Sequence, residues 1–145
     1  MKAYGVDLVV GLAQHLDTLG LARYHPDGVY PDGPLPAVFF GQLPDKPDAA
    51  VLVNVYNDDR DRDDTTPDLY VQFRFRTPGR DPRTTTVLGD SVFEALHDRS
   101  TLTLPNGVRV LLCRRTVAAP LAADQNGRYT RPDSYRFTLN PALGG

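Results

Sequence analysis

A run of seven charged residues is the first feature of this sequence that could support chemistry: Asp58, Asp59, Arg60, Asp61, Arg62, Asp63 and Asp64. Asp59, Asp61 and Asp63 have the spacing of the first three ligands in a helix-loop-helix calcium site that would begin at Asp59. Such a site needs glycine at its sixth position and glutamate at its twelfth, where this chain has Asp64 and Tyr70. The run is therefore more typical of a solvated turn, or of an arm that docks on a partner, than of a metal site.

Four arginines that lie close together in the sequence are the second charged feature: Arg74, Arg76, Arg80 and Arg83. Arg74 and Arg76 alternate with apolar residues, so we expect both on the solvent-exposed face of a strand. One interpretation is a solvated sheet face whose arginines pair with carboxylates on neighbouring strands. The other is a surface that contacts a neighbouring subunit or DNA.

No catalytic motif is recognisable among the other reactive residue types. The single cysteine, Cys113, lies in an apolar run, which favours a buried inert thiol over a nucleophile. The sequence has neither a Gly-rich phosphate loop nor a Gly-x-Ser-x-Gly elbow. We therefore expect no enzyme activity, no metal and no cofactor. The alternative is a small enzyme or ligand-binding domain whose site is assembled from scattered polar residues.

The length of 145 residues predicts one domain over residues 1–145, because a chain of this size buries roughly 70% of its unfolded surface in one core. The formal net charge of -2 argues against a surface built entirely to hold nucleic acid, which needs many cations. No apolar run reaches the roughly 18 residues of a membrane span. We expect neither a cleaved secretion signal nor contact with a membrane.

Two amphipathic helices are predicted from apolar residues at helical spacing. The first carries its apolar residues on one side: Val6, Leu8, Val9, Leu12, Ala13, Leu16 and Leu19. Gly20 is expected to end it, because glycine readily adopts the positive φ found just after a helix. Asp81 and Pro82 are expected to begin the second helix as its N-cap and first residue.

Alternating apolar residues and turn signals predict six strands: Ala37–Leu43, Ala49–Tyr56, Leu69–Thr77, Leu102–Leu104, Val108–Val117 and Tyr135–Leu139. The segment Ala118–Pro132 is expected to be a loop, and residues 57–68 a protruding hairpin arm that does not pack on its own domain. The predicted fold class is α+β, with an antiparallel or mixed sheet packed against two amphipathic helices in the order α-β-β-β-α-β-β-β.

Several short segments, in their order along the chain, resemble the minor capsid or tail terminator proteins of long-tailed bacteriophages. They are Leu69–Arg76, Gly79–Pro82, Val92–His97, Gly127–Tyr129 and Asp133–Tyr135. The resemblance implies a small α+β structural subunit of the virion with no catalytic residues. It also implies a location in the tail at the head-tail junction, after assembly in the host cytoplasm.

The resemblance further implies a homo-oligomeric ring, commonly a hexamer, that caps the tail tube and binds the head-tail connector protein. The expected partners are the tail-tube protein, the connector and, transiently, DNA that passes through the ring. The subunit-interface residues would be the charged run from Asp58 to Asp64, and the sheet-face or lumen residues would be Arg74, Arg76, Arg80 and Arg83. A different neck or head-completion protein of the phage is the closest alternative.

Overall fold

The computed structural model describes residues 4–62 and 65–140, and within these residues it contains two helices and seven strands. The helices are α1 (Tyr4–Thr18) and α2 (Pro82–Leu96). The strands are β1 (Ala37–Phe39), β2 (Ala50–Asp59), β3 (Asp68–Arg76), β4 (Arg99–Thr103), β5 (Arg109–Ala118), β6 (Ala122–Ala123) and β7 (Tyr129–Leu139). Neither described helix is long and apolar enough to cross a membrane.

The strands form one mixed sheet in the order β1-β2-β3-β7-β5-β4, and β6 pairs with β7 beside this path. β1 runs parallel to β2, whereas the other pairings are antiparallel. The predicted α+β class, the mixed sheet and the order of helices and strands are confirmed. β6 is an additional two-residue strand within a segment that was expected to be loop.

Both helices pack on one face of the sheet, which we call the covered face. One core joins Leu8, Leu12 and Leu16 of α1, Val92 and Leu96 of α2, and the inward side chains of the strands. Burial alternates along β3, so that Phe73 and Phe75 are fully buried. The Phe73 ring meets the Tyr135 ring edge-on, with the centroids 5.3 Å apart. Each of these buried rings contributes about 1.5–3 kcal/mol to stability.

The predicted helix ends are confirmed by the backbone geometry. Gly20 follows α1 with a φ of 74°, a conformation that costs glycine little. The Asp81 side chain accepts a hydrogen bond from the backbone N–H of Arg83, and Pro82 is the first residue of α2. These residues therefore set where the two helices end and begin.

The predicted apolar side of α1 is wrong at both of its ends. Val6 is 62% exposed and Leu19 is 45% exposed, whereas Gly11, expected on the polar side, is buried. The β4–β5 hairpin lies against α1 there, since the Asn106 side chain donates a hydrogen bond to the Asp7 carbonyl at 2.8 Å. The position of this hairpin, which helical periodicity does not encode, decides which side of the helix is buried.

β7 is longer than predicted, because it begins at Tyr129 rather than Tyr135. The expectation that Ala118–Pro132 is entirely loop is therefore wrong. Polar residues at the start of this strand are buried in ion pairs instead of marking turns: Arg131 bonds to Asp133 at 2.9 Å on the covered face. Alternation of apolar residues alone cannot reveal such a strand.

β2 and β3 remain paired as far as Asp59 and Asp68, so the start of the predicted hairpin arm is an extension of the sheet. We call residues 58–68 the acidic arm. The arm touches its own domain, contrary to expectation, because the Arg60 guanidinium lies 5.0 Å from the centre of the Tyr4 ring at the start of α1. Asp63 and Asp64 lie outside the described residues.

Candidate functional site

The sheet face opposite the helices, which we call the open face, is covered by neither described helix. Its side chains alternate with the buried ones along the central strands. They include Leu52 and Asn54 of β2, Tyr70, Gln72 and Arg74 of β3, and Ser134 and Arg136 of β7, all of which are partly exposed. A surface of this composition can contact a partner through both polar and aromatic groups.

Arg74 and Arg136 are the unsatisfied cations of the open face. Within residues 4–62 and 65–140, neither guanidinium forms a hydrogen bond or an ion pair. Arg74 lies opposite Pro132, and Arg136 lies opposite Tyr70 on β3 and Arg114 on β5. Arg114 differs from both, because its guanidinium binds Asp98 at 2.6 Å.

A shallow groove of about 510 Å³ crosses the open face at Arg74. Its floor is formed by β2 and β3, and its rims are residues 41–43 and 122–124. The carboxylate on the rim, Asp124, is already occupied by the Arg128 guanidinium at 2.9 Å. The groove therefore presents Arg74 to an incoming negative group without a competing internal anion.

Arg76 lies on the same side of β3 as Arg74, but the structure contradicts the expectation that it is exposed to solvent. Arg76 is only 4% exposed, and its guanidinium donates hydrogen bonds to the carbonyl oxygens of Pro44, Pro47 and Asp48 at 2.8 Å. Burial lowers the pKa of Arg76. Its position at the end of β3, beside the loop before β2, explains the difference, because the loop folds over the side chain. Arg76 therefore holds that loop.

Arg128, the residue before β7, also binds the loop before β2, and we call Arg76 and Arg128 the loop anchor. Its guanidinium bonds to Asp45 at 3.1 Å, to Asp48 at 2.9 Å and to Asp124 at 2.9 Å. Hydrogen bonds from Lys46 and Arg128 lower the pKa of Asp48. The charges in this cluster are satisfied within the chain, so the cluster fixes the loop geometry.

Arg80 and Arg83 follow the end of β3 and do not lie on the same strand as Arg74. Both lie at the surface near the start of α2, and the Arg83 side chain is 88% exposed. Arg83 binds Asp81, the residue that caps the helix, at 3.0 Å. The four predicted arginines therefore occupy three different environments and do not form one basic stripe.

The acidic arm keeps an excess of negative charge after its internal pairs are counted. Arg60 binds Asp58 at 2.9 Å and Arg62 binds Asp68 at 3.3 Å. One Asp59 carboxylate oxygen accepts the backbone N–H of Asp61. In the part of the arm that the structure describes, neither Asp59 nor Asp61 has a cationic partner.

A buried ion-pair cluster lies on the covered face beneath α2. Asp133 is fully buried and is bound by Arg131 at 2.9 Å and by Arg115 at 3.6 Å. Burial raises the pKa of Asp133, although both guanidinium groups oppose this shift. Arg131 also reaches Asp90 on α2 at 3.2 Å. The cluster joins the helix to β7.

Among the described residues, the side chains considered for chemistry in the sequence are not brought together in one cluster. Cys113 is fully buried, and burial raises the pKa of its thiol, as expected for an inert cysteine. No group of three or more His, Cys, Asp or Glu side chains in the described ranges is arranged to hold a metal ion. The calcium reading of the aspartate run receives no support from the described part of that run.

Sequence reasoning did not identify Arg136 as a second cation on the same surface as Arg74. The alternation of Arg136 with Tyr135 and Phe137 was visible, but the pairing of β3 with β7 was not. α2, β4, β5 and β6 lie between these two strands in the sequence. Only their pairing places the two unsatisfied arginines on the same surface.

The family model described as "Bacteriophage tail terminator protein" matches residues 15–141. The fold is similar to that of a chain in the solved structure titled "Virion of native gene transfer agent (GTA) particle". The TM-score is 0.60 at 16% sequence identity, and the alignment covers 94% of this chain and 96% of that chain. This likeness shows a shared fold. The sequence has no significant match among the curated proteins.

Proposed function

Because this chain belongs to the family of bacteriophage tail terminator proteins, it is a structural phage tail protein, and we propose that it forms the ring that caps the tail tube. The observation that carries the proposal is the one-sided sheet, whose open face bears cations that the subunit does not neutralise. An uncovered charged face is a ready surface for another subunit.

We propose that the ring is hexameric and contains identical copies of this chain. The acidic arm and the far end of the open face at Arg74 lie about 20 Å apart, and contacts between them can join neighbours head to tail. A head-to-tail contact generates a ring whenever its rotation closes. The chain over residues 1–145 would act as a single domain within each subunit, since both helices and the central strands share one core.

The tail-tube protein and the head-tail connector protein are the proposed neighbours of the ring. The solved chain with the same fold belongs to a virion particle, which supports a place in the virion for this chain. We place the ring at the head-tail junction, after assembly in the host cytoplasm. Its role there is to bind and cap, with no bond made or broken.

Deletion of this chain from the phage that encodes it tests the proposal. Tails without a terminator ring should have uncontrolled length and should fail to join heads, as seen by negative-stain electron microscopy of the lysate. Expression of the wild-type chain from a plasmid should restore uniform, joined tails. Normal tails in the deletion would contradict the terminator role.

Another neck or head-completion protein is the alternative within the same particle. Immunogold labelling of purified particles separates the two, because a terminator lies at the end of the tail tube whereas a head-completion protein remains with tail-less heads. Label on isolated heads alone would favour the alternative.

Transient contact with DNA is a secondary proposal that concerns Arg80 and Arg83, which lie at the surface near the start of α2. Phosphate contacts by these side chains would weaken steeply with salt. Fluorescence anisotropy with duplex DNA at two salt concentrations tests this for the wild type and for Arg80→Gln/Arg83→Gln. Equal binding by both proteins would exclude these residues as DNA contacts.

A further inference from the structure

The positive charge of the open face has no counterpart within its own subunit. Arg74 and Arg136 lie on adjacent strands, about 13 Å apart along the strand direction because their paired positions differ by four residues. Two carboxylates near them are occupied. Asp68, two residues along β3 from the position opposite Arg136, is bound by Arg62. Asp124, in the groove with Arg74, is bound by Arg128. Two guanidinium groups in this state favour a negatively charged partner.

The acidic arm has the complementary charge. Residues 58–68 contain six aspartates and two arginines. In the described part of the arm both arginines are held by Asp58 and Asp68, so Asp59 and Asp61 are left without a cation. Asp61 is exposed and Asp59 is partly exposed, and both can therefore meet a guanidinium from outside the subunit.

The acidic arm lies at the opposite end of β3 from Arg74. Arg74 is six residues along β3 from Asp68, a distance of about 20 Å in a strand. The contact of Arg60 with the Tyr4 ring places the arm beside α1, which packs on the covered face. At about 20 Å along β3, the arm cannot reach Arg74 of its own chain, so a contact between its carboxylates and Arg74 requires a second copy.

We propose that the acidic arm of one copy docks on the open face of the next copy, with Asp59 and Asp61 against Arg74 and Arg136. This deepens the proposed function, on which it rests, by naming the contact that joins subunits in the ring. Repeated from each copy to the next, a contact of the arm with the open face is head to tail and can close a ring. Exposed charge pairs are screened by ions, so the association should weaken as salt rises.

A charge-swap experiment tests this contact with two variants of the full chain. The arm variant carries Asp59→Lys and Asp61→Lys, and the face variant carries Arg74→Glu and Arg136→Glu. Each variant alone places like charges together, so we expect roughly 100-fold weaker self-association than in the wild type. An equimolar mixture places lysines against glutamates and aspartates against arginines, and should restore association. Sedimentation velocity over a concentration series measures all three samples.

The control variant, Asp27→Lys/Asp32→Lys, changes the net charge as much as the arm variant does but lies in the loop before β1. It should associate like the wild type. Restored association in the mixture shows that both variants are folded, and circular dichroism of each provides an independent check. Wild-type protein that stays monomeric up to its solubility limit would overturn the inference, as would a face variant that associates normally or a mixture that stays dissociated.

DNA is the other occupant that the arginines could attract. A face variant that loses binding to duplex DNA while its self-association is unchanged would assign the open face to nucleic acid and overturn the inference. The outcome is separable from that of the proposed function. If the charge-swap results are as expected but labelling finds the protein absent from tail ends, the contact between copies stands and the terminator role is rejected.

Discussion

Arginines lie on both faces of the sheet, but they differ in whether a carboxylate of the same subunit binds them. On the covered face, Arg131 is 7% exposed and is held by Asp133 and Asp90. On the open face, Arg74 and Arg136 have no bonded partner within the described residues. A buried arginine must be paired within the subunit, because an isolated charge in the interior is costly. An arginine at the surface can remain available to another molecule.

This difference shows that charge in the sequence does not identify an interface until its partners are known. Arg76 and Arg128 would have been plausible contact residues, yet both are occupied by the loop at residues 44–48. The open face is distinguished by Arg74 and Arg136, to which no carboxylate of the described residues is bonded. Substitutions on the two faces should therefore affect different measurements.

The largest effect on stability is expected for Phe73→Ala on the covered face. Phe73 is fully buried between Phe75 and Tyr135, and its truncation should lower the free energy of unfolding by about 3–5 kcal/mol. Tyr70→Ala is the matched control, because Tyr70 is the neighbouring aromatic residue on the open face and is only partly buried. Urea denaturation measures both. Equal losses would show that the two faces contribute alike.

Gly89→Ala tests how tightly the buried ion-pair cluster packs under α2. A Cβ at Gly89 would overlap the Arg131 guanidinium, so we expect a loss of about 1–3 kcal/mol from overpacking. Gly5→Ala is the matched helical control, because its Cβ would only touch Val55 at 3.8 Å. Thermal unfolding compares the two variants. A neutral Gly89→Ala would mean that the cluster shifts freely.

Arg128→Gln breaks the loop anchor, whereas Arg74→Gln/Arg136→Gln changes the open face. Loss of the charged hydrogen bonds of Arg128 should lower stability by about 1.5–3 kcal/mol. Without internal partners, the open-face pair should change stability by less than about 0.5 kcal/mol. Chemical denaturation at low protein concentration, where subunits are separate, measures both. A large loss in the open-face variant would show that these arginines support the fold.

The smallest expected effect is the pH dependence of stability that arises from Asp48. Hydrogen bonds from Lys46 and Arg128 hold its pKa below the ordinary value of 3.8, so the ionised carboxylate stabilises the folded chain. This stabilisation is present above pH 3.8 and is lost as the pH falls through the lower pKa of the folded state. The difference in melting temperature between the wild type and Asp48→Asn should therefore shrink below pH 3.8. A constant difference would contradict the assignment.

Much of the fold could be predicted from local signals. The Asp81 cap, Gly20, and the alternation of Leu69, Val71, Phe73 and Phe75 each depend on neighbours within a few residues, and the structure confirms them. Predictions failed where a distant segment decides burial. Val6 is exposed because the core lies elsewhere along α1, and β7 starts early because Arg131 has a buried anionic partner.

The candidate site was only partly predictable for the same reason. The acidic run and Arg74 are visible as charges, but the burial of Arg76 depends on a loop nearly thirty residues earlier in the chain, whose carbonyl at Asp48 it binds. Arg136 joins Arg74 only through the pairing of β3 with β7. Long-range pairing of this kind leaves no signature in the spacing of either segment.

Residue type and short-range spacing were sufficient for the α+β class, the helix ends and the acidity of the arm, because these properties depend on local geometry and on ionisable groups already present in the chain. Which arginines are neutralised, and which remain on the open face, was settled by strand pairing and loop packing. Electrostatic pairing acts over a few ångströms in space, regardless of distance along the chain. The surface that can meet a second copy therefore exists only in the folded protein.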